Sequence, residues 1–299
     1  MSVCDDMQKI PLPRYLQEHG HEILNILNNT SGWDYDVDAW RREFRDNREV
    51  SNDLSIIMKI CPKRIGRSDV HNLAKEAHLG SYSELRRFFL ACMIWGYGPD
   101  GNGPQNTRLS LTGYAARKVL INTANRIKKG QIKEAYEEFD LAGCGPAFFT
   151  KFFYFVGLEW QVKPLPLILD RHIANFLRFL GTEEGWAFSL FAEKDSGGYI
   201  KRYSKGYVQY ICAMNDWANE LDCSSADNIE YFMYKKDKEL EKALGEVDAE
   251  GNPKVPIIYR RDGVYCLKCD AFLASPEPAI GFTLDKIKGI VWRHGCYDC

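Results

Sequence analysis

The sequence lacks any apolar stretch long enough to cross a bilayer, and it lacks a strong excess of charge of either sign. A membrane helix needs about 20 consecutive apolar residues, and the N-terminal MSVCDDMQKIP has no apolar core of the kind found in a secretion signal. Internal repeats are absent, and a hydrophobic content of 45% in 299 residues excludes disorder and collagen-like repeats. We therefore expect a soluble cytoplasmic protein with no membrane partner.

The net charge of −2 gives no general case for binding nucleic acid, so the local distribution of charge must decide. Between residues 108 and 134 there are seven basic residues and a single acidic one. The basic residues are Arg108, Arg117, Lys118, Arg126, Lys128, Lys129 and Lys133. This part of the chain is the best candidate for a surface that faces phosphate, although the same charges could only solvate a helix.

The ten cysteines divide into two groups. Six are scattered along the chain, several of them in apolar runs, and for an intracellular protein we expect them to be small buried hydrophobes and not disulfides. The other four form two CxxC pairs, Cys266 with Cys269 and Cys296 with Cys299. Four thiolates at this spacing predict a structural Zn²⁺ site, and an iron–sulfur cluster is less favoured because its usual motifs place the ligands in one tight run.

The composition along the chain predicts three parts. Residues 1–235 read as a mainly helical domain, 236–254 as a charged linker or short exposed helix, and 255–299 as a small zinc-ribbon-like module with short strands. Within the helical part, WGYGPDGNGPQNTR is rich in glycine and amides and predicts a surface loop. The following SLTGYAARKVLINTANRIKKG predicts a helix.

The segment LAGCGPAFFTKFFYF, beginning at residue 141, predicts a tight turn between two helices. Gly143 and Gly145 allow such a turn, and Pro146 suits the first position of the second helix. Exposed amides at a helix N-terminus form a site for an anion, so this turn could hold a DNA phosphate.

Two charged residues in apolar surroundings are the candidate chemistry. Lys151 lies among six aromatic residues of the second helix, and a buried ammonium must pair with a carboxylate, reach water, or lower its pKa and become a nucleophile. Asp170 follows the apolar run LPLIL and precedes another helix. Taken singly, Asp170 could be a plain helix N-cap, and Lys151 could extend its amine to water.

Together, LAGCGPAFFTKF and LILDRH resemble the helix-hairpin-helix DNA glycosylase superfamily, and most closely bacterial proteins of the 8-oxoguanine glycosylase fold. The resemblance covers roughly residues 36–235. It implies a mainly α fold in which the hairpin, about 133–155, grips the DNA backbone. Asp170 matches the Asp that stabilises the cationic sugar, and His172 matches a His of the 8-oxoguanine branch. Lys151 would be the nucleophile of a bifunctional member, but it stands six residues after Gly145 instead of two, so lyase activity stays open.

The base pocket and the groups that replace the flipped base are assigned by residue type. Trp95 and Tyr97, with Phe148 or Phe149, could stack on the extrahelical base, and ordinary core packing is the alternative. Asn102, Gln105 and Asn106 could fill the vacated stack, and Arg108 could hold a phosphate or the opposite base. For these polar residues the alternative is an ordinary solvated loop.

The resemblance therefore implies a DNA glycosylase that excises a modified base from double-stranded DNA. We expect it to be a monomer associated with the nucleoid, to use no nucleotide cofactor, and to bind DNA additionally through its zinc module. The substrate would be an oxidised purine such as 8-oxoguanine, in repair, or a hypermodified base such as glucosylated hydroxymethylcytosine, in defence against phage. The alternative is a non-catalytic DNA-binding or scaffold protein that uses the hairpin and the zinc module only to hold DNA or a partner.

Overall fold

The computed structural model describes residues 3–4, 7–26, 32–99, 101–194 and 200–245, together with the backbone of three short strands between 257 and 274. Up to the predicted hairpin the helices are α1 (Arg14–Glu18), α2 (Gly20–Leu24), α3 (Val37–Phe44), α4 (Arg48–Ile60), α5 (Arg67–Lys75), α6 (Tyr82–Tyr97), α7 (Gly103–Leu111) and α8 (Ala115–Lys128). They are followed by α9 (Ile132–Glu138), α10 (Pro146–Glu159), α11 (Arg171–Glu184), α12 (Ser204–Glu220) and α13 (Ala226–Gly245), with a short 3₁₀ turn at Phe188–Leu190. The predicted mainly helical fold is confirmed.

Short polar side chains begin several of these helices, as their sequence predicts. Asp36 caps α3 by accepting hydrogen bonds from the amides of Asp38 and Ala39, at 3.0 and 2.9 Å. Asn47 caps α4 in the same way through the amide of Val50. Each cap satisfies amides that have no partner inside the helix, which contributes about 1 kcal/mol.

Helix α10 lies at the centre of the core. Its residues from Phe149 to Gly157 are all buried, so a helix that is apolar around its whole circumference is buried as predicted. It packs against α5, α6 and α8, and rings from neighbouring helices meet its face, for example Phe88 at 5.0 Å from Phe152. The aromatic packing holds the central helix rigidly against its neighbours.

The predicted loop after Trp95 is wrong for much of its length, because it contains helix α7. Pro104 suits the first turn of that helix, and Thr107 donates its hydroxyl hydrogen bond to the carbonyl of Gly103 at 2.8 Å. A Cβ at Gly103 would lie 2.9 Å from the Tyr97 side chain. This glycine therefore serves close packing and not loop flexibility.

Two further boundaries differ from the expected ones. The predicted helix over 110–130 is divided, since α7 ends at Leu111 and α8 begins at Ala115. Helix α13 continues without a break past residue 235, where the charge pattern predicted a linker to begin, and reaches Gly245. Asp237 in this extension is 1% exposed, so the helix continues because one face of it packs against the domain.

The structure contradicts the expectation that the scattered cysteines are all reduced. Cys4 and Cys212 form a disulfide, with their Cα atoms 5.6 Å apart. The segment after Cys4 lies along α12, where Trp217 donates to the carbonyl of Ile10 at 2.9 Å and Gln209 to that of Gln8 at 2.6 Å. This docking of the N-terminal segment brings the two cysteines together across the fold. Cys61, Cys92 and Cys144 are buried free thiols, as expected.

The strands are few and short among the described residues. Strands β1 (Trp33–Asp34) and β2 (Arg64–Ile65) form an antiparallel pair, and β3 (Ile257–Arg260), β4 (Gly263–Cys266) and β5 (Phe272–Ala274) form a three-stranded antiparallel sheet. The expected strands around the first CxxC are therefore present. Cys269, Cys296 and Cys299 lie outside the described residues, so the zinc site stays a prediction. No helix in the described part of the chain has the length and hydropathy of a membrane span.

Candidate active site

The predicted hairpin is formed by α9 and α10 and the turn between them. Gly143 has a φ of +76°, and a Cβ there would lie 2.4 Å from the carbonyl oxygen of Asn106, so this position requires glycine for two reasons. Ser110 on α7 donates to the carbonyl of Ala142 at 2.7 Å. Gly145 has no steric requirement of this kind, but like Gly143 it is exposed. The turn therefore presents its peptide groups to solvent beside the N-terminus of α10, which favours binding of an anion.

Lys151 and Asp170 meet as the sequence suggested. The Nζ of Lys151 lies 3.5 Å from Oδ2 of Asp170 and 2.6 Å from the carbonyl oxygen of Ala147. The two side chains are only 9% and 17% exposed. The ring of Phe148 lies 5.6 Å from the amine, and that of Trp95 lies 6.0 Å away. Lys151 therefore pairs with a carboxylate inside an aromatic environment, and it does not extend into solvent.

The two carboxylate oxygens of Asp170 have different partners. Oδ1 accepts from the amides of His172 and Ile173 at 3.0 and 3.2 Å, which makes Asp170 the N-cap of α11, and Oδ2 faces Lys151. Burial raises the pKa of Asp170, but the charges of Lys151 and His172 and the cap hydrogen bonds outweigh burial, so the pKa lies below its usual value. Asp170 is therefore a carboxylate at neutral pH.

The extended segment that leads to Asp170 is held by side chains because it belongs to no sheet. Tyr207 and Tyr210 of α12 donate their hydroxyl groups to the carbonyls of Leu167 and Ile168, at 2.8 and 2.9 Å. Glu230 of α13 accepts from the Ile168 amide at 2.8 Å. On α10, Thr150 Oγ1 accepts from the Leu169 amide at 3.0 Å. We call residues 165–169 the strap; its fixed backbone sets the position of the Asp170 carboxylate.

Two side-chain contacts of α13 flank the site. His172 Nδ1 lies 2.7 Å from Oδ2 of Asp237, so the imidazole orientation is fixed by a carboxylate in the helical extension. Arg67 Nη2 lies 2.7 Å from Oε1 of Glu230. Burial raises the pKa of Glu230 to about 7, although Arg67 and the Ile168 amide act in the opposite direction.

These groups line one pocket of about 280 Å³. It brings together five of the residues singled out in the sequence and several that were not. The predicted ones are Trp95, Tyr97, Lys151, Asp170 and His172; among the others are Trp33, Arg67, Ile168, Glu230, Tyr231, Tyr234 and Lys238. A partly apolar cleft with aromatic walls and a buried Lys–Asp pair could accept a planar ring and place its attached sugar near an amine and a carboxylate.

The comparison with known families agrees with this geometry. The family described as "Putative 8-oxoguanine DNA glycosylase OGG-like protein" matches residues 28–234, about two thirds of the chain. The chain belongs to this family. The family's description is that of a DNA glycosylase, which implies DNA as the partner. No curated protein and no solved structure matches the chain.

The OGG-like family match spans both sides of the pocket, from just before β1 to α13. The aromatic residues proposed for the pocket nevertheless differ in where they lie. Phe149 is fully buried and packs on Phe139 at 4.8 Å, so it belongs to the core and its assignment to the pocket is wrong. Phe148 stacks on Tyr97 at 4.0 Å and thereby supports the pocket wall.

The polar residues proposed to replace the flipped base lie on or beside α7. Asn102 immediately precedes this helix and is exposed, as is Gln105 in its first turn. Asn106 donates to the Tyr97 hydroxyl at 2.9 Å, which ties α7 to the pocket wall. Arg108 forms an ion pair with Glu43 and lines a different surface pocket, so a role at the opposite base is not supported for it.

Some candidates could not be assigned from the sequence. Tyr114, in the turn between α7 and α8, has 107% relative exposure, whereas other tyrosines of the domain lie in its core. Its neighbourhood, LTGYAAR, has the glycine of a turn, but nothing in the sequence indicates that the ring points away from the protein. The adjacent α8 and α9 carry the predicted basic residues, of which Arg117, Lys118, Lys128, Lys129 and Lys133 are exposed.

Proposed function

We propose that the protein is a DNA glycosylase that flips a modified base into the pocket and cleaves its N-glycosidic bond. The contact between Lys151 and Asp170 at 3.5 Å, on the wall of this pocket, is the observation that carries the proposal. An amine and a carboxylate held together among aromatic rings are the groups that glycosidic cleavage needs. The base must leave the helical stack to reach them.

In the proposed mechanism, the Lys151 amine attacks C1′ of the sugar as the base departs with the bonding electrons. Because Lys151 rests as an ammonium beside Asp170, it first loses one proton, to the departing base, and the nitrogen bonded to C1′ then loses a second proton to Asp170. Asp170, as a buried carboxylate, stabilises the positive charge that develops on the sugar. The resulting Schiff base between Lys151 and the sugar then permits strand cleavage. If water attacks in place of Lys151, the product is an abasic site.

For the substrate we propose an oxidised purine such as 8-oxoguanine, in DNA repair. A volume of about 280 Å³ lies just below the usual range for small-molecule pockets, which is roughly 300–1,000 Å³. It suits a single compact ring system better than a pyrimidine that carries a glucose. Glucosylated hydroxymethylcytosine, the candidate for a role against phage, would need the pocket to open, and it serves as the second substrate of the test.

DNA binding would use the hairpin and the surface next to it. The exposed turn at Gly143 and Gly145 would hold a backbone phosphate, and the exposed cations of α8 and α9 would extend this contact. The exposed ring of Tyr114 would enter the duplex, and Asn102 and Gln105 would fill the vacated stack.

We also propose that Cys266, Cys269, Cys296 and Cys299 hold a structural Zn²⁺. Cys266 ends β4 opposite Ile257, and a knuckle that follows a short β-hairpin strand suits such a site. Among the described residues, no other group of His, Cys, Asp and Glu could hold a metal ion. Elemental analysis should find about one zinc per folded chain, and its absence would remove this proposal.

The catalytic proposal is tested with duplexes that contain 8-oxoguanine or glucosylated hydroxymethylcytosine. The wild-type protein should release the oxidised base, and borohydride should trap a covalent adduct that Lys151→Gln cannot form. Asp170→Asn should release no base. Asp36→Asn is its matched control, because Asp36 caps α3 with the same two kinds of hydrogen bond and lies outside the residues that line the pocket. If the protein binds DNA and neither active-site variant changes what is measured, the alternative holds, and the protein is a non-catalytic DNA-binding protein.

A further inference from the structure

The indole N–H of Trp95 has no role in the proposed mechanism. Trp95, near the end of α6, lines the pocket and is 7% exposed. Its indole Nε1–H is buried and has no hydrogen-bond partner among the residues that the structure describes. The buried indole of Trp217 has the ordinary arrangement, since its Nε1–H donates to the Ile10 carbonyl at 2.9 Å. A buried N–H without an acceptor costs about 1–3 kcal/mol, so its persistence on a pocket wall needs a reason.

The two carboxylates that line the pocket have other partners. Glu230 accepts from Arg67 through Oε1 and from the Ile168 amide through Oε2. Asp170 uses Oδ1 for the cap of α11, and Oδ2 faces Lys151. Neither carboxylate accepts a hydrogen bond from the indole.

Two cationic groups also lie close to the Trp95 ring. The Arg67 guanidinium lies 5.8 Å from the Trp95 ring and the Lys151 amine lies 6.0 Å from it. Indole, guanidinium and ammonium groups can donate hydrogen bonds but cannot accept them. The indole and these two cations could therefore donate to acceptors on the edge of a ligand.

We propose that the Trp95 Nε1–H binds a carbonyl oxygen of the extrahelical base, so that the pocket selects a keto group over an exocyclic amine at that position. This inference rests on the proposed function, because it names the part of the base that the same pocket recognises. Trp95 is thus a specificity residue, whose N–H loses its cost only when a base with a suitably placed oxygen enters. A site that satisfies a buried donor through the substrate rejects analogues that lack the acceptor.

The test compares three duplexes under single-turnover conditions. They contain 8-oxoguanine, 2,6-diamino-8-oxopurine, in which an amine replaces the 6-carbonyl, or guanine, which lacks the 8-carbonyl. The wild-type protein should prefer 8-oxoguanine over at least one of the other two by about 5- to 100-fold, which is the effect of one buried hydrogen bond. Trp95→Phe keeps the ring and removes the N–H, and it should abolish that same preference.

Two controls separate recognition from folding. Trp186→Phe removes an indole N–H that is also buried without a partner but lies outside the residues lining the pocket, and it should keep the wild-type preferences. Binding to a duplex with an abasic-site analogue, which has no base to recognise, should be the same for Trp95→Phe and wild type. If Trp95→Phe does not fold, the wild-type panel still decides, since equal rates on all three duplexes would overturn the proposal.

The outcomes also distinguish this inference from the proposed function. Excision with unchanged preferences in Trp95→Phe overturns the role of Trp95 and leaves the glycosylase intact. If the wild-type protein excises neither these bases nor the glucosylated pyrimidine, the proposed function fails and the inference fails with it.

Discussion

The strap gives the sharpest test of how the fold positions its chemistry, through the substitution Thr150→Val. Thr150 is fully buried next to Lys151. Its hydroxyl accepts from the Leu169 amide at 3.0 Å and donates to the Pro146 carbonyl at 2.7 Å. Valine has nearly the same shape but leaves the Leu169 amide, one residue before Asp170, without its acceptor.

The expected magnitude follows from this one lost acceptor. An unsatisfied buried amide costs about 1–3 kcal/mol of the free energy of unfolding, whereas a domain of this size has about 5–15 kcal/mol available. The Thr150→Val protein should therefore stay folded. A shift of the strap moves the Asp170 carboxylate relative to Lys151, and a displacement of about 1 Å lowers a rate by about 100-fold. We expect base excision to slow by about 10- to 100-fold.

Thr150→Ser is the matched variant, because it keeps the hydroxyl group and loses only a buried methyl group. The methyl group contributes about 1 kcal/mol to stability. Both variants should therefore lose comparable stability in urea unfolding, while only Thr150→Val loses the single-turnover rate of excision. If both variants lose excision rate in proportion to their loss of stability, or if both excise at the wild-type rate, the strap does not position Asp170.

Three further predictions concern the same region. In Gly96→Ala the new Cβ would lie 3.0 Å from Cδ of Lys151. Borohydride trapping should therefore slow about tenfold without a loss of stability. Trapping at the wild-type rate would contradict a close contact between Gly96 and Lys151. Tyr114→Ala should keep the free energy of unfolding within about 0.5 kcal/mol of the wild-type value, since the ring is exposed. It should nevertheless slow excision from duplexes more than excision from single strands. Equal effects on both would exclude a role in opening the duplex. The folded-state pKa of Glu230, about 7, exceeds its ordinary value of 4.5, so the folded protein holds a proton that the unfolded chain has released, and stability falls as the pH rises through this window. Glu230→Gln should flatten that pH dependence of chemical unfolding, and an unchanged slope would contradict the assignment.

The central features of the fold could be predicted because they depend on local sequence. A helix that is apolar on all sides must be buried, and a glycine turn before a proline at the first helical position predicts a hairpin. Lys151 and Asp170 could be paired because a buried ammonium requires a carboxylate, and LPLILD supplied one nearby. The roles of these residues in catalysis remain proposals, whereas their proximity is observed.

The rest of the pocket could not be predicted because its walls come from distant parts of the chain. Arg67 and Glu230 are separated by 163 residues, and each looks in the sequence like an ordinary surface charge. Asp237 lies in a charged stretch that predicts a solvated linker, and only the packing of α13 against α11 shows that it is buried on His172. The helix α7 was missed for the same reason, since tertiary packing of Gly103 overrides its low helix propensity.

The two ordinary explanations for Asp170 and Lys151 turn out to be compatible with chemistry. Asp170 is an N-cap, but the cap occupies only Oδ1, and the same two amide hydrogen bonds that hold this oxygen fix the carboxylate plane and direct Oδ2 at Lys151. The cap also favours the ionised form, which is the form that can stabilise a cationic sugar. Lys151 in turn is tied at one end by its helix and at the other by the Ala147 carbonyl and Asp170. In the proposed mechanism, the start of α11 therefore holds the Asp170 carboxylate beside the Lys151 amine at the pocket, where it would stabilise the cationic sugar.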